Sequence, residues 1–191
     1  MRRISIFILW LFGWKSPDKC PKGINKAVLA VAPHTSNWDF PLGRLYAWKE
    51  GFPVHFLIKS ELYFWPLGWI LDKIGGVPVD RKKGKNTVDV VASLFNDYER
   101  LYIAITPEGT RKLTMEWKKG FYFIAQKAKV PILLSYIDYE KKMVGMGKPF
   151  EVTGDYEADM AKIKEFYKTK GAKYPEKYSL SPENLKAQKK R

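Results

Sequence analysis

The sequence is poor in the residues that build disulfide frameworks and metal centres. It contains one cysteine, Cys20, and two histidines among 191 residues. A single cysteine excludes a disulfide within the chain and a cysteine-cluster metal site, and it is typical of a protein from a reducing compartment. Because no histidine lies near Cys20 in the sequence, an inert, partly buried thiol is a better interpretation than a nucleophile.

The apolar run at the start of the chain is too short to cross a membrane. In residues 1–14, two arginines precede a run of roughly 10 apolar residues, whereas a spanning helix needs about 20. The small-residue cleavage site of a signal peptide does not follow it. We expect residues 1–14 to lie in the membrane interface, with Trp10 and Trp14 at headgroup level and the arginines on anionic lipid. The alternative is an ordinary helix packed on the domain.

Acidic residues are scarce relative to basic ones. The chain has 34 Lys and Arg against 20 Asp and Glu, which gives a net charge of +14. Such a charge favours partners that carry phosphate, namely nucleic acid, anionic lipid or a phosphorylated metabolite. A nucleic-acid-binding module would also use the abundant aromatic residues for stacking. Around residues 62–71, however, the aromatic residues cluster with aliphatic residues instead of alternating with lysines.

The length suits one domain with a substantial core. Segments typical of strands alternate with segments of helical periodicity, which predicts an α/β fold: a single layered domain with a mixed, mostly parallel sheet flanked by helices. We divide the chain into an interfacial apolar segment at residues 1–14, an α/β domain at residues 15–169 and a basic tail at residues 170–191. The tail is rich in lysine and contains two prolines, so we expect it to be irregular.

Periodicity and breaker residues predict where the elements lie. Strands are expected at residues 27–32, 54–58, 77–79, 101–105, 132–139 and 143–152. Helices are expected at residues 39–49, 86–98, 119–127 and 155–167. The second histidine, His55, falls inside a predicted strand, where a packed or edge side chain is the better interpretation.

An aromatic stretch occupies residues 59–71. Pro66 and Gly68 interrupt it and predict a poor regular helix. Aromatic stripes are more often core than ligand surface. An irregular apolar surface rich in tryptophan is also typical of an acyl-chain groove or a membrane-facing patch, so both interpretations stay open.

A polar cluster follows the first predicted strand. His34 and Asp39 stand there with four residues between them. A carboxylate at one imidazole nitrogen fixes the tautomer, and the other nitrogen can then take a proton from a hydroxyl near neutral pH. The pair is therefore a candidate base with its orienting group. The alternative is a turn histidine beside a helix-capping carboxylate, since Ser36 and Asn37 also suit a cap.

Two further strand-to-loop junctions combine glycine, proline and charged residues, at residues 75–81 and 106–111. With these in place, the sequence resembles the glycerophospholipid acyltransferase family, which includes the lysophosphatidate acyltransferases. The family's first motif, His-x4-Asp, is matched by His34 to Asp39, and the arginine that ends its second motif is matched by Arg81. The third motif, Phe-Pro-Glu-Gly-Thr-Arg, is matched from Pro107 to Arg111, and a Val-Pro step at Val130 matches the fourth weakly.

The resemblance implies a reaction and its partners. A fatty acyl group would pass from a thioester, on coenzyme A or acyl carrier protein, to the hydroxyl of a glycerophosphate-type acceptor, with lysophosphatidate as the expected acceptor. It implies no metal and no cofactor beyond the donor substrate. The expected partner is a membrane surface with anionic lipid, with the protein peripheral or monotopic on the cytoplasmic face. Nucleic acid is not expected. The rival readings are a basic nucleic-acid-binding module and a non-catalytic lipid-binding protein.

The resemblance also implies roles for the motif residues. His34 would act as general base, and Asp39 would hold the imidazole and stabilise its charged form. The implied substrate-binding residues are Arg81, Glu108, Gly109, Thr110 and Arg111, with the arginines on the acceptor phosphate. We expect a cationic neighbourhood to keep Glu108 ionised, so that it orients an arginine or an acceptor hydroxyl. The chain departs from the family pattern at Pro33, Thr106, Lys112 and Leu134, which leaves the acceptor and the details of the donor open.

Overall fold

Six strands form one sheet in the computed structural model of the protein, which describes residues 1–79 and 87–188. The strands are β1 (Lys26–Ala32), β2 (Val54–Lys59), β3 (Gly76–Val79), β4 (Leu101–Ile105), β5 (Ile132–Asp138) and β6 (Met143–Phe150). Their order is β3-β2-β4-β1-β5-β6. All neighbours are parallel except β5 and β6, which are antiparallel. This confirms the predicted mixed, mostly parallel sheet.

Helices lie between the strands and at both ends of the described chain. They are α1 (Arg2–Leu11), α2 (Asp39–Glu50), α3 (Leu67–Lys73), α4 (Thr87–Asp97), α5 (Gly120–Ala128), α6 (Tyr156–Lys168) and α7 (Pro182–Gln188). Short 3-10 turns occur at Ser60–Leu62 and Pro175–Lys177. The predicted strands and the four predicted helices are present, with bounds that shift by a few residues at most. No helix within the described ranges is long and apolar enough to cross a membrane.

The core has two parts, one on each face of the sheet. Side chains alternate between the faces of a strand, and β1 is apolar at every position of its buried centre, so it contributes to both. Val28 and Ala30 belong to the cluster under α4, α5 and α6, whereas Ala27 and Leu29 belong to the cluster under α1 and α2. This explains why β1 reads as a continuous apolar run rather than an alternating one.

The prediction for residues 59–71 was wrong in part. A helix, α3, begins directly after Pro66 and includes Gly68. Proline is well tolerated at the start of a helix, because the first turn has no partner for its missing N–H. The Phe64, Trp65 and Trp69 side chains are exposed rather than packed in the core: Trp65 is 88% and Trp69 is 65% exposed.

The prediction of an irregular tail holds for residues 170–181 apart from one 3-10 turn, but it was wrong for Pro182–Gln188. The amide of Gly171 donates to Asp138 Oδ1 at 3.2 Å, and the buried phenol of Tyr178 donates to the Tyr167 carbonyl at 3.0 Å. The chain then forms α7. Burial of Tyr178 and Leu180 in the core stabilises this ordered path, which lysine and proline content does not reveal.

Helix α1 packs on the domain and also presents an apolar face. Leu9 is buried with α2, while Phe7, Trp10 and Leu11 are more than half exposed. Trp14, expected beside Trp10 at headgroup level, is half-buried. Its ring packs edge-on against the Tyr139 ring, with 5.1 Å between the ring centroids. The segment therefore packs on the domain, as the alternative expects, while its position in the membrane interface stays a prediction.

Candidate active site

The loops after three neighbouring strands meet at the carboxyl edge of the sheet. β1 lies between β4 and β5 and is parallel to both. His34 follows β1, Glu108 follows β4 and Tyr139 follows β5. In open α/β sheets, this edge is where ligands bind. The topology therefore brings the predicted His34 and Glu108 to one edge of the sheet, together with Tyr139.

His34 and Asp39 are in contact, as their spacing predicts. His34 Nδ1 lies 2.9 Å from Asp39 Oδ2, with the Asp39 side chain 2% exposed and the His34 side chain 17% exposed. A buried carboxylate accepts the Nδ1 proton, so Nε2 is the basic nitrogen of the ring. The imidazole is both oriented and accessible, which a base that acts on a substrate requires.

The Asp39 carboxylate is fixed by three hydrogen bonds. Besides the His34 ring, it accepts the backbone N–H of Ser36 at 3.0 Å on Oδ2 and the Tyr139 hydroxyl at 2.7 Å on Oδ1. Asp39 is the first residue of α2, but it caps the turn that precedes the helix rather than the helix itself. The alternative of a helix-capping carboxylate is therefore wrong, because no side chain caps the start of α2.

Sequence reasoning did not identify Tyr139. Burial, and then the hydrogen bond to the Asp39 carboxylate, raise the pKa of Tyr139 above its usual range, so the phenol stays a hydrogen-bond donor. The available signal was its position at the end of the strand predicted at residues 132–139, which points to the site only if that strand lies beside the first one. That signal requires the strand order, which the sequence does not state.

Glu108 holds the backbone of the histidine turn. Its side chain is buried, at 1% exposure, and its Oε1 accepts the backbone N–H of His34 at 2.7 Å. Burial raises the pKa of Glu108 to about 7, although this hydrogen bond acts in the opposite direction. Desolvation, rather than a cationic neighbourhood, is thus the largest effect on the pKa of Glu108.

The rest of the third motif forms a tight turn beside His34. Gly109 has φ +66°, a conformation that other residues rarely adopt, and its N–H donates to the Thr106 carbonyl at 3.0 Å. Thr110 Oγ1 accepts the backbone N–H of Lys112 at 3.2 Å. The Arg111 side chain is exposed. Arg81, predicted to bind phosphate, lies outside the described residues.

Two cavities adjoin at this turn. The larger has a volume of about 810 Å³ and includes His34, Asp39 and Arg111 together with apolar side chains from β1, α2 and β6, among them Val31, Phe40 and Met146. The smaller has about 510 Å³ and a polar lining: Thr35, Ser36, Asn37, Trp38, Thr110, Arg111, Lys112, Tyr174 and Lys177. Asn37 and Arg111 line both. The site thus has an apolar side and a cationic side, with the base on the apolar one.

The other candidate residues lie elsewhere. His55 lies on β2 outside both cavities, and burial lowers its pKa. Cys20 is a half-buried thiol whose pKa burial raises, which makes it a poor nucleophile. Among residues 1–79 and 87–188, no group of three His, Cys, Asp or Glu side chains is placed to hold a metal ion.

Comparisons with known proteins agree with this geometry. The family model described as Acyltransferase matches residues 15–137. A curated 1-acyl-sn-glycerol-3-phosphate acyltransferase of Saccharomyces cerevisiae is 32% identical over 117 residues, which are 56% of this chain and 37% of the yeast protein. The chain thus spans little more than a third of the length of that relative.

A solved structure shares the fold. The crystal structure of the 1-acyl-sn-glycerophosphate (LPA) acyltransferase PlsC from Thermotoga maritima superimposes with a TM-score of 0.59 at 22% identity, over 87% of this chain and 74% of that one. The family match spans more than half of the chain and includes both the His34–Asp39 loop and the Glu108–Arg111 turn. The chain therefore belongs to the Acyltransferase family.

Proposed function

We propose that the protein transfers a fatty acyl group from an acyl thioester to the hydroxyl of a glycerophosphate-type acceptor, with lysophosphatidate as the acceptor. The observation that carries the proposal is the His34–Asp39 pair, 2.9 Å apart, at the junction of an apolar and a cationic cavity. An acceptor with one acyl chain and a phosphate needs both environments. The family match and the relatives' names support the same class of reaction.

The pair supplies general-base chemistry. His34 Nε2 takes the proton of the acceptor hydroxyl as its oxygen attacks the thioester carbonyl, and the C–S bond then breaks. The departing thiolate takes the proton back from the imidazolium, so no covalent acyl-enzyme is required. Asp39 stabilises the imidazolium, because it is a buried carboxylate in direct contact with Nδ1.

The acceptor phosphate lies on the cationic side. Arg111 lines both cavities, and a guanidinium can hold two phosphate oxygens at once. The family resemblance adds Arg81 to this site. Gly109 and Thr110 supply the turn that presents Arg111, while Glu108 keeps the histidine turn in place through the His34 amide.

The apolar cavity suits the acyl chain. Its volume of about 810 Å³ lies within the usual range of roughly 300–1,000 Å³ for ligand pockets. The donor is acyl-CoA or acyl carrier protein. We place the protein at the cytoplasmic face of a membrane with anionic lipid, as a peripheral or monotopic protein, because α1 exposes Phe7, Trp10 and Leu11 and the chain carries a net charge of +14.

The test is an acyl-transfer assay with a panel of lyso-acceptors and both donor types. His34→Ala should lower turnover by roughly 10²–10⁴-fold, the typical contribution of a general base. His55→Ala is the matched control, since that histidine lies outside both cavities, and thermal unfolding verifies that both variants are folded. Equal turnover of the wild type and folded His34→Ala would exclude the mechanism.

A further inference from the structure

The chain after α6 forms one wall of the cationic cavity. Tyr174 and Lys177 line the cavity together with residues of the His34 loop and the Arg111 turn. Both residues lie beyond residue 137, where the family match ends. This wall is therefore not part of the matched family motifs.

This wall is anchored on both sides of Lys177. On one side, the Tyr174 amide donates to Thr35 Oγ1 at 3.2 Å, which ties the wall to the residue next to His34. On the other side, the buried Tyr178 hydroxyl donates to the Tyr167 carbonyl at 3.0 Å. The Asn184 side chain donates to the carbonyls of Pro175, Glu176 and Tyr178. Such a network places Lys177 at low further cost in entropy when a ligand binds.

Aromatic rings hold the ammonium groups of this wall. Lys177 Nζ lies 4.4 Å from the centroid of the Tyr174 ring, and Lys173 Nζ lies within 5.8 Å of the ring centroids of Trp38, Tyr139 and Tyr174. Within residues 1–79 and 87–188, Lys177, Arg111 and Lys112 form no salt bridge. The described lining of the cavity includes no carboxylate. Three cations therefore face one polar space without an acidic partner in its lining.

We propose that Lys177, presented by residues 171–178, is a ligand of the acceptor's phosphate and makes the site selective for phosphate monoesters over phosphodiesters. This inference rests on the proposed function and adds a residue that recognises its acceptor. A monoester carries about −1.5 to −2 charges at pH 7, whereas a phosphodiester carries one. Three cations in a space with no carboxylate lining stabilise the more highly charged group to a greater extent.

Binding of sn-glycerol 3-phosphate, measured by titration calorimetry at low salt, tests the site without catalysis. Lys177→Ala should weaken binding about tenfold, as expected for loss of one charge-assisted contact, and Lys177→Arg should restore most of it. Lys186→Ala, an exposed lysine on α7 outside the cavity, should bind like the wild type. The inference is overturned if Lys177→Ala binds like the wild type, or if the wild type does not bind at millimolar concentrations.

Acyl transfer separates this inference from the proposed function. With lysophosphatidate, Lys177→Ala should raise the acceptor KM about tenfold and leave kcat and the donor KM nearly unchanged. The preference for lysophosphatidate over lysophosphatidylcholine should fall. Transfer with unchanged selectivity and binding would refute the role of Lys177 and leave the proposed function intact. Lysine-dependent binding with no transfer to any acceptor would refute the proposed function and leave the phosphate site.

Discussion

Two carboxyl groups hold His34 from different directions. Asp39 contacts the ring through Nδ1, whereas Glu108 accepts the backbone N–H of the same residue. The first contact stabilises the charged imidazole, and the second fixes the turn that carries it. The environments of the two carboxyl groups also differ. Asp39 accepts three hydrogen bonds, whereas burial raises the pKa of Glu108 to about 7.

Loss of the Asp39 charge should impair turnover less than loss of the imidazole. In Asp39→Asn, the ring keeps a neighbour of similar shape but loses the negative charge that stabilises imidazolium. We expect kcat to fall by more than tenfold, yet by less than in His34→Ala. Steady-state kinetics of the two folded variants tests this order. The reverse order would show that Asp39 does more than orient and stabilise His34.

Tyr139 should act through Asp39 as a positioning residue. Tyr139→Phe keeps the ring that contacts Trp14 and removes one of the three hydrogen bonds on the carboxylate. A single hydrogen bond to a charged group contributes roughly 1.5–3 kcal/mol, so we expect kcat to fall about tenfold with little change in KM. The pH dependence of kcat should also shift, because the carboxylate that faces the imidazolium is altered. Tyr98→Phe, at the opposite edge of the sheet, is the control.

Glu108 should make the free energy of unfolding fall as pH rises. The folded state keeps the Glu108 proton up to about pH 7, whereas the unfolded chain loses it near 4.5. Between these values the folded state binds more protons, so its stability is full below pH 4.5 and declines towards pH 7. Glu108→Gln still accepts the His34 N–H without a charge. From pH 5 to pH 8, it should gain on the order of 2 kcal/mol of unfolding free energy relative to the wild type.

Urea unfolding at the two pH values measures this difference. If the stability difference between wild type and Glu108→Gln does not change with pH, then Glu108 is not the group that titrates in this range.

At the residue scale, local spacing predicted only part of the site. His34 and Asp39 are five residues apart in the same loop, so the sequence was sufficient to predict their contact. Glu108 and Tyr139 reach the same turn from 74 and 100 residues away. Whether Glu108 is desolvated depends on all the elements packed around it, and charge counts along the chain do not report that.

At the scale of single elements, the aromatic stretch around α3 turns outward. Phe64, Trp65, Trp69 and Ile70 are each at least 46% exposed. The stretch follows β2, at the same edge of the sheet as the active site. Composition could not distinguish core from surface here, because the same residues serve both. The structure shows that this stretch belongs to the surface, because none of the seven residues of α3 is buried.

This aromatic surface should contribute to vesicle binding. Trp65→Ser/Trp69→Ser removes two large exposed apolar side chains without opening a cavity in the core, so the fold should be retained. We expect weaker association with phospholipid vesicles in a sedimentation assay. Tyr98→Ser, before β4 at the opposite edge, should sediment like the wild type. Equal sedimentation of the folded double variant would show that this surface does not face lipid.

At the scale of the whole molecule, alternation of strands and helices was enough to predict the α/β class and the mostly parallel sheet. Strand order was not predictable, because it depends on which strands pair across the sheet rather than on any one segment. The path of residues 170–188 was missed for a similar reason. Tyr178 and Leu180 are buried against distant elements, whereas their own neighbourhood in the sequence is polar and basic.

The net charge and α1 should both contribute to membrane binding. Varying the salt concentration distinguishes the two contributions. The net charge of +14 acts over distances that salt screens, with a Debye length of about 10 Å at 0.1 M and 3 Å at 1 M. Phe7 and Trp10 lie on one exposed face of α1 and act through apolar burial, which salt does not weaken. The wild type should therefore bind anionic vesicles tightly at low salt and retain part of that binding at 1 M salt.

Phe7→Ser/Trp10→Ser should lose the part of vesicle binding that resists salt and keep the part that salt removes. Leu9 still anchors α1 on α2 in this variant, so the helix stays docked and the domain stays folded. Vesicles of zwitterionic lipid isolate the apolar contribution, because they do not attract the positive field. If wild-type binding disappears completely at high salt, α1 contributes nothing. If the protein instead binds duplex DNA in a salt-dependent way and binds no vesicles, then its charge serves nucleic acid rather than lipid.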